Sequence, residues 1–523
     1  MEIERMNGAE SVVRTLMAGG VDVCFANPGT SEMALVAALD RNPGMRCILG
    51  LFEGVVTGAA DGYARMARKP VATLLHCGPG LANGLANLHN AKCAKSPIVN
   101  IVGDHATYHS AFNPPLAADV EATARPYSHW VRTAQSAQTI GHDTAMAIEA
   151  ANAWPGQAAT LIVPADVAWT EGASVRTIRH GSAPASAPEH SIEQVVEILK
   201  SGEPAALLLA GDGALEGGLK HADRIARASG VRLLGQMFNA RIARGRNMPA
   251  IVPVPYAVDQ ALTELGGLKH LILAGGPAPV AFFAYPGKPS SLVPEGCEIT
   301  VLAGENENVV EALEAVSSEL VQDTPTIEEP CPDLGLATGA ITPDGIAQSL
   351  GVLLPEGAVV ADESLTSGIN LFPLTRHAAP HDWLQLTGGA IGIGIPLATG
   401  ASVACPDRRV ICLQADGSGM YTVQGLWTQA RERLNVTTVI YANKAYAILK
   451  QELANLGVAE PGRNASDMMD LGRPALDWVQ LARGMGVEAE RVTTAERFND
   501  VFRASLDKQG PFLIEAVIAG TGR

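Results

Sequence analysis

Over the first 170 residues, short apolar runs alternate with stretches whose apolar positions recur at helical spacing. Ala9–Ala18 is helical in pattern, VDVCFANPG reads as strand then turn, Ser31–Leu39 as helix, and MRCILGLFEG as strand. Val55–Met66 is helical again, PVATLLHCGPG is strand then turn, Leu81–Ala91 is helix, and PIVNIVGD is strand. This strand, Gly/Pro turn, helix rhythm predicts a parallel α/β domain with helices on both faces. Residues 171–192, EGASVRTIRHGSAPASAPEHSI, break the rhythm with Ser, Ala and Pro and read as a linker. A second α/β unit begins at PAALLLAGDGALEGG and runs to about Ser318. The acidic, Pro-rich segment 319–340 is a second linker. The third unit, 341–523, holds AVVADES, the glycine-rich TGGAIGIGIPLATG and a last strand, PFLIEAVI. Three doubly wound parallel-sheet domains are therefore expected, at 1–170, 193–318 and 341–523. No short internal repeat is visible.

The third unit contains the most informative stretch, Leu413–Leu449. An apolar strand, Val410–Leu413, breaks at Asp416-Gly417-Ser418. A helical pattern covers Thr422–Glu432, and a β-branched strand, Val436–Tyr441, stops at Asn443. A carboxylate and a carboxamide thus close two strands 27 residues apart, where open parallel sheets bind ligands. Such oxygen ligands suit Mg²⁺ shared with a substrate phosphate. Gly417 and Gly419 let backbone N–H groups approach an anion. Asp-Gly-Ser by itself is an ordinary turn; the paired strand ends favour a metal–diphosphate site.

Composition narrows the classes. A length of 523 residues suits about three domains, and 47% hydrophobic with 18% charged residues describes a buried, globular chain. The net charge of −16 argues against nucleic acid or an anionic membrane as partner. No apolar run reaches about 18 residues. The N-terminal MEIERMNGAESVVRTL reads as an amphipathic helix start, and the expected location is cytoplasmic. Eight scattered cysteines form no CxxC pair. Cys77, beside His76, is either a nucleophile or a small core thiol. GDGALEG matches a dinucleotide fingerprint loosely; a nicotinamide-dependent dehydrogenase is the reading of another class, and it requires no Mg²⁺.

The Leu413–Leu449 stretch resembles the thiamine-diphosphate (ThDP) signature, Gly-Asp-Gly followed at about this distance by Asn-Asn. The resemblance implies that Asp416, Asn443 and the carbonyl of Ala445 hold Mg²⁺ against the diphosphate. Ala415 and Ala442 depart from the pattern, and neither replaced side chain is a ligand. A second block, LGLFEGVVTGAADGYARMARKP, is similar to the family's glutamate block, with the Gly-Tyr-Ala-Arg tail at Gly62–Arg65. Glu53 would then bond the aminopyrimidine ring so that the cofactor's reactive carbon loses its proton. Read on position alone, Glu53 is a helix N-terminal charge favoured by the macrodipole. TGGAIGIGIP resembles the block in which Gly389 offers a carbonyl to the 4′-amino group and Ile391 wedges between the two rings. Gly417, Ser418 and Tyr446 fall where relatives hold diphosphate; Thr366 and Ser367, after AVVADES, either add to that shell or are ordinary turn hydroxyls, and Pro28 and Asn83 complete the cofactor set.

FANPGTSEM and LLHCGPG are similar to benzoylformate decarboxylase, which implies a pocket lined by Thr30 and His76, with Ile448 beside them. His76 would orient a 2-oxo acid carboxylate or move a proton; its bland alternative is a turn histidine bonded to backbone. That enzyme uses a second histidine from the middle domain, where APVAFFAYPG has Phe282, Phe283 and Ala284. The block order and Gly78–Gly80 look closer to the acetolactate synthase large subunit, although Asp104 stands where those enzymes place Gln. Their FAD pattern is not evident near GGPAPVAFFAYPGKPS, which leaves FAD doubtful. The resemblance implies decarboxylation of a 2-oxo acid with ligation of the resulting enamine to a second carbonyl. The alternatives are an aldehyde-releasing decarboxylase and a ThDP fold kept for binding or regulation. It also implies a homodimer or homotetramer with its active site between subunits.

Overall fold

The computed structural model describes residues 6–178, 181, 183–320, 335–458 and 460–518. Most of the second expected linker, and the first five residues, lie outside these. Among the described residues, eighteen strands form three sheets. The first sheet contains β1 (Val23–Asn27), β2 (Arg46–Leu49), β3 (Val71–Leu75), β4 (Ile98–Asp104), β5 (Trp130–Thr133) and β6 (Ala158–Pro164). They are all parallel, in the order β2-β1-β3-β4-β6-β5. The second sheet is formed from β7 (Ala205–Leu209), β8 (Arg232–Gly235), β10 (Val252–Pro253), β11 (His270–Ala274) and β12 (Glu298–Ala303), in the order β10-β8-β7-β11-β12.

The third sheet takes β13 (Ala358–Glu363), β14 (His381–Gln385), β15 (Val410–Ala415), β16 (Val436–Ala442), β17 (Glu488–Val492) and β18 (Phe512–Val517). Its order is β17-β18-β16-β15-β13-β14-β9. The edge strand β9 (Ile242–Arg244) comes from within the stretch assigned to the middle unit and pairs antiparallel with β14. Strand alternation along one segment cannot reveal which sheet it will join.

The order in which strands are laid down reverses between β1 and β3 in the first sheet, β7 and β11 in the second, and β13 and β15 in the third. Such switch points open a crevice at the C-terminal strand ends.

Local pattern and structure differ in a few places. CGPG, expected as a turn, opens the helix Cys77–Cys93. Proline in a first helical turn has no N–H to leave unpaired, and Cys77 takes a positive φ of 48° to start the helix. The first expected linker runs beside the N-terminal helix, where Ser11 Oγ donates to the Ser174 carbonyl at 2.8 Å, and its end already belongs to the helix Glu189–Ser201. Among the described residues, no helix is long and apolar enough to cross a membrane.

Two Ala/Gly-rich helices, Glu53–Ala67 and Gly394–Ala404, join the first and third sheets. Their backbones nearly touch. A Cβ on Gly400 would sit 1.8 Å from the Ala59 carbonyl oxygen, and one on Gly62 would sit 2.1 Å from that of Leu397. Arg65, one turn on, is buried in a pair with Asp61 and donates to the Gln385 carbonyl (2.7 Å) and Thr387 Oγ1 (3.1 Å). The tail of the glutamate block therefore ties the first unit to the strand and loop that precede Gly389.

Glycine-to-alanine inside a helix ordinarily gains about 1 kcal/mol. At Gly400 the clash is with backbone, so overpacking wins and Gly400→Ala should destabilise by about 1–3 kcal/mol. A lowered urea midpoint is the expected reading; a raised one would show that the helices can part at no cost.

Candidate active site

The first half of the site lies at the β1/β3 switch point. Glu53 opens its helix directly after β2 and is 8% exposed, and Asn83 Nδ2 donates to its Oε2 at 3.0 Å. Gly80 leaves room for it, since a Cβ there would meet Glu53 Oε1 at 2.8 Å. Asn83 and Glu53, both named as cofactor residues, are thus brought together, a contact that the sequence did not announce. Pro28 and Thr30 follow β1, with Thr30 starting a short 3₁₀ turn and lying exposed.

His76 caps β3 and packs on Gly29, where a Cβ would overlap its ring at 2.1 Å. Its Nδ1 lies 2.8 Å from Glu32 Oε2 and 3.2 Å from Ser31 Oγ. Glu32 is fully buried and also accepts from the Gly29 N–H (2.7 Å) and Ser31 Oγ (2.6 Å). The carboxylate holds the proton of His76 on Nδ1, which leaves Nε2 as the working nitrogen. His76 is therefore bonded to a side-chain carboxylate rather than to backbone. Only Glu32's place three residues after Gly29 hinted at this partner. Cys77 is buried, and burial pushes its thiol up to about 11, which favours the core-thiol reading over the nucleophile.

The second half lies at the β13/β15 switch point. Asp416 closes β15, is 3% exposed, and accepts from the Gly417 N–H (2.9 Å) and the Lys444 N–H (2.7 Å). Burial, opposed by these N–H bonds, pushes its carboxyl up to about 6. Asn443 Oδ1 accepts from the Ala445 N–H at 2.9 Å in a tight turn, with Lys444 at a φ of 58°. Each of these oxygens keeps a lone pair. A buried carboxylate satisfied only by N–H donors, beside a carboxamide oxygen, is a hard donor set that fits Mg²⁺. Gly417 faces Tyr446, whose ring a Cβ would meet at 2.5 Å. Thr366 lies in the 3₁₀ turn Leu365–Gly368, and Ile448 lies on the helix Ala447–Asn455.

Gly389, at a φ of 76°, and Ile391 lie on the loop between β14 and the helix Gly394–Ala404. Asn90 pins this loop: its Nδ2 donates to the Ala390 carbonyl at 2.7 Å, and its Oδ1 accepts from the N–H groups of Gly388 and Ala390. Phe282, from the second unit, covers Gly389 so closely that a Cβ would lie 2.5 Å from the ring. Phe238, Tyr256 and Phe283 surround Phe282 at centroid distances of 4.8–6.1 Å. Tyr285 Oη donates to Glu452 on the helix Ala447–Asn455 at 2.9 Å.

Glu363 carries no motif and was not anticipated. It closes β13, is 1% exposed, and accepts from the N–H groups of Gly392 (2.5 Å) and Gly394 (2.7 Å) and from Gln414 Nε2 (3.1 Å). Desolvation outweighs these bonds and pushes its carboxyl up to about 7.

The second sheet's switch point, at GDGALEG, opens on a cleft of about 270 Å³ shared with the first unit. The Arg68–Asp212 ion pair (2.6 Å) sits in it, and β8 is followed by Gln236 rather than a ribose-binding carboxylate. These features do not favour a nicotinamide site.

Comparison with known proteins agrees with the two half-sites. Residues 6–124 match the thiamine pyrophosphate enzyme N-terminal TPP binding domain, and residues 367–516 match the C-terminal TPP binding domain. The chain belongs to the ThDP-dependent enzymes. Within them it is acetolactate synthase large subunit-like: it is 52% identical to the putative acetolactate synthase large subunit IlvX of Mycobacterium tuberculosis, across 98% of this chain and 99% of that one. It is 27% identical to benzoylformate decarboxylase of Pseudomonas aeruginosa, across 95% and 96% of the two chains. The fold is shared with the ThDP-dependent 4-hydroxybenzoylformate decarboxylase of Rhodococcus jostii RHA1, with a TM-score of 0.86, 23% identity, and coverage of 98% and 99%.

Glu363 generates a pH prediction. Its folded value of about 7 exceeds the ordinary 4.5, so the stability it contributes is full below about pH 4.5 and lost as pH rises through about 7. Between pH 5 and 8 the wild type should lose more stability than Glu363→Gln, by on the order of 3 kcal/mol. Urea unfolding at the two pH values measures this. Parallel losses would show that Glu363 does not titrate there.

Proposed function

We propose that this enzyme decarboxylates a 2-oxo acid with ThDP and Mg²⁺ and transfers the remaining acyl unit to a second carbonyl compound. Bound ThDP supplies a nucleophilic carbon and an electron sink. Asp416, Asn443 and the Ala445 carbonyl would hold Mg²⁺, with Gly417, Ser418, Thr366 and Tyr446 around the diphosphate. The Gly389 carbonyl and Ile391 would fix the aminopyrimidine end, and Glu53, with Pro28 and Asn83 beside it, would exchange a proton with the ring nitrogen. Glu53 is buried, with Asn83 holding one of its oxygens, as a group that meets the ring nitrogen away from solvent would be. FAD has no assigned place in this reading.

The observation that carries ligation is the aromatic cover on Gly389. Phe282, with Tyr256 and Phe283 beside it, lays an aromatic wall on Gly389 and puts no imidazole where the benzoylformate decarboxylase resemblance expects one. A reactive carbon with no acid on that side to protonate it survives to meet an acceptor. The second reading, release of an aldehyde, is favoured by His76, whose Nε2 is left bare by the Glu32 contact to take up a proton and pass it on. In either case His76, Thr30 and Ile448 are the pocket residues.

The geometry supports a site completed by a second chain. One helix, Cys77–Cys93, holds Glu53 through Asn83 and the Gly389 loop through Asn90. Those positions are seven residues, roughly 10 Å, apart along the axis, which suits a reading in which Glu53 and the Gly389 loop of one chain serve different sites. A homodimer, or a homotetramer built from dimers, is the assembly that fits this reading. A fully active monomer in solution would contradict it.

Glu53→Gln should keep ThDP bound while slowing proton exchange at the cofactor's reactive carbon by about 100-fold or more. Asp416→Ala should abolish Mg²⁺-dependent ThDP retention. Wild-type exchange in the first variant, or wild-type affinity in the second, would remove the corresponding assignment. Product analysis separates the two reactions: acetolactate from pyruvate supports ligation, and benzaldehyde alone from benzoylformate supports simple decarboxylation.

A further inference from the structure

Gln414 links two groups that belong to different loops. Its Nε2 donates to Glu363 Oε2 at 3.1 Å and to Ser418 Oγ at 2.7 Å. Glu363 and Gln414 are register partners across β13 and β15, so their side chains leave the sheet together. All three residues are buried. A carboxamide nitrogen has two hydrogens, and the two shorter of its three contacts are the carboxylate and the hydroxyl, the Ala415 carbonyl lying farther off at 3.4 Å.

The direction of this chain is set by Glu363. An ionised carboxylate only accepts, so the Gln414 oxygen cannot face it without opposing two acceptors. The N–H groups of Gly392 and Gly394 hold the carboxylate in place, and Gly394 lies so close that a Cβ there would meet Gln414 Oε1 at 2.3 Å. With its NH₂ turned toward Glu363 and Ser418, Gln414 occupies a lone pair of Ser418 Oγ. The serine proton is then free to donate. Within the protein it reaches the Ala415 carbonyl at a long 3.3 Å. With the amide reversed, Ser418 would donate inward to Gln414 and present only lone pairs to an anion.

We propose that Glu363 is a positioning residue for anion binding, which acts through Gln414 to turn the Ser418 hydroxyl outward as a donor to a diphosphate oxygen. This rests on Ser418 being a diphosphate contact, as the proposed function has it. Glu363 touches no substrate or cofactor atom in this scheme. Its effect is to fix the polarity of a neutral amide, which a mere packing role would not do.

The test is a double-mutant cycle on ThDP affinity, measured with Mg²⁺ at pH 8 by titration of the full-length protein. Ser418→Ala should weaken ThDP binding about tenfold in the wild-type background. The same substitution should weaken it by less than about twofold in Glu363→Gln, where the amide polarity is no longer dictated. Thermal unfolding without cofactor checks that each variant is folded. If Glu363→Gln does not fold, Gln414→Leu breaks the chain while leaving Glu363 on its glycine N–H groups, and the same loss of coupling is expected. Equal losses from Ser418→Ala in both backgrounds, or no loss in the wild type, would overturn the proposal. Failure of the wild type to bind ThDP at all would instead overturn the reading of the site.

Discussion

The close crossing of the helices Glu53–Ala67 and Gly394–Ala404 is the constraint on which the site depends. Gly62 and Gly400 let one backbone rest on the other's carbonyls. The N-terminus of the first helix carries Glu53, and the N-terminus of the second is anchored by Glu363 just beyond Ile391. A few tenths of an ångström at the crossing would move both. Arg65 adds a second tie: its buried guanidinium reaches the Gln385 carbonyl and Thr387 from the first unit, and its pairing with Asp61 makes the burial of either charge tolerable.

Chemistry is then placed by topology. Each half-site sits where the strand order of its sheet reverses, so backbone N–H groups and side chains from separated segments converge without a dedicated loop. Buried carboxylates do different work there. Asp416 is surrounded by N–H donors and suited to a cation, Glu32 fixes an imidazole, and Glu363 organises an amide. The middle unit contributes its edge strand β9 to the third sheet and its aromatic cover to Gly389. It therefore shapes the pocket more than it binds anything identified in it.

Much of this was legible in residue order. Asp416, Asn443 and the glycines between them mark paired turns at strand ends through local rules, and the structure shows Asp416 buried there and bonded by backbone N–H groups. Glu53 and Asn83 were named thirty residues apart and meet at 3.0 Å. Glu363 was not legible, because ADES is an ordinary strand end and its meaning depends on Gly392, Gly394 and Gln414. Glu32 was missed for the same reason: a glutamate after a turn looks solvated until His76 arrives from β3. The absent histidine near Phe282 was visible, but that the phenylalanine lies on Gly389 was not.

By itself, the sequence determined the α/β rhythm, the ThDP family and the residues whose roles follow from short-range spacing, since period, turn chemistry and strand ends are local properties. The tertiary structure alone decided the sheet that β9 joins, the glycine contact between helices, and the partners of Glu32, Glu363 and Arg65. Those depend on groups tens to hundreds of residues apart, whose hydrogen bonds and burial exist only once the sheets are assembled.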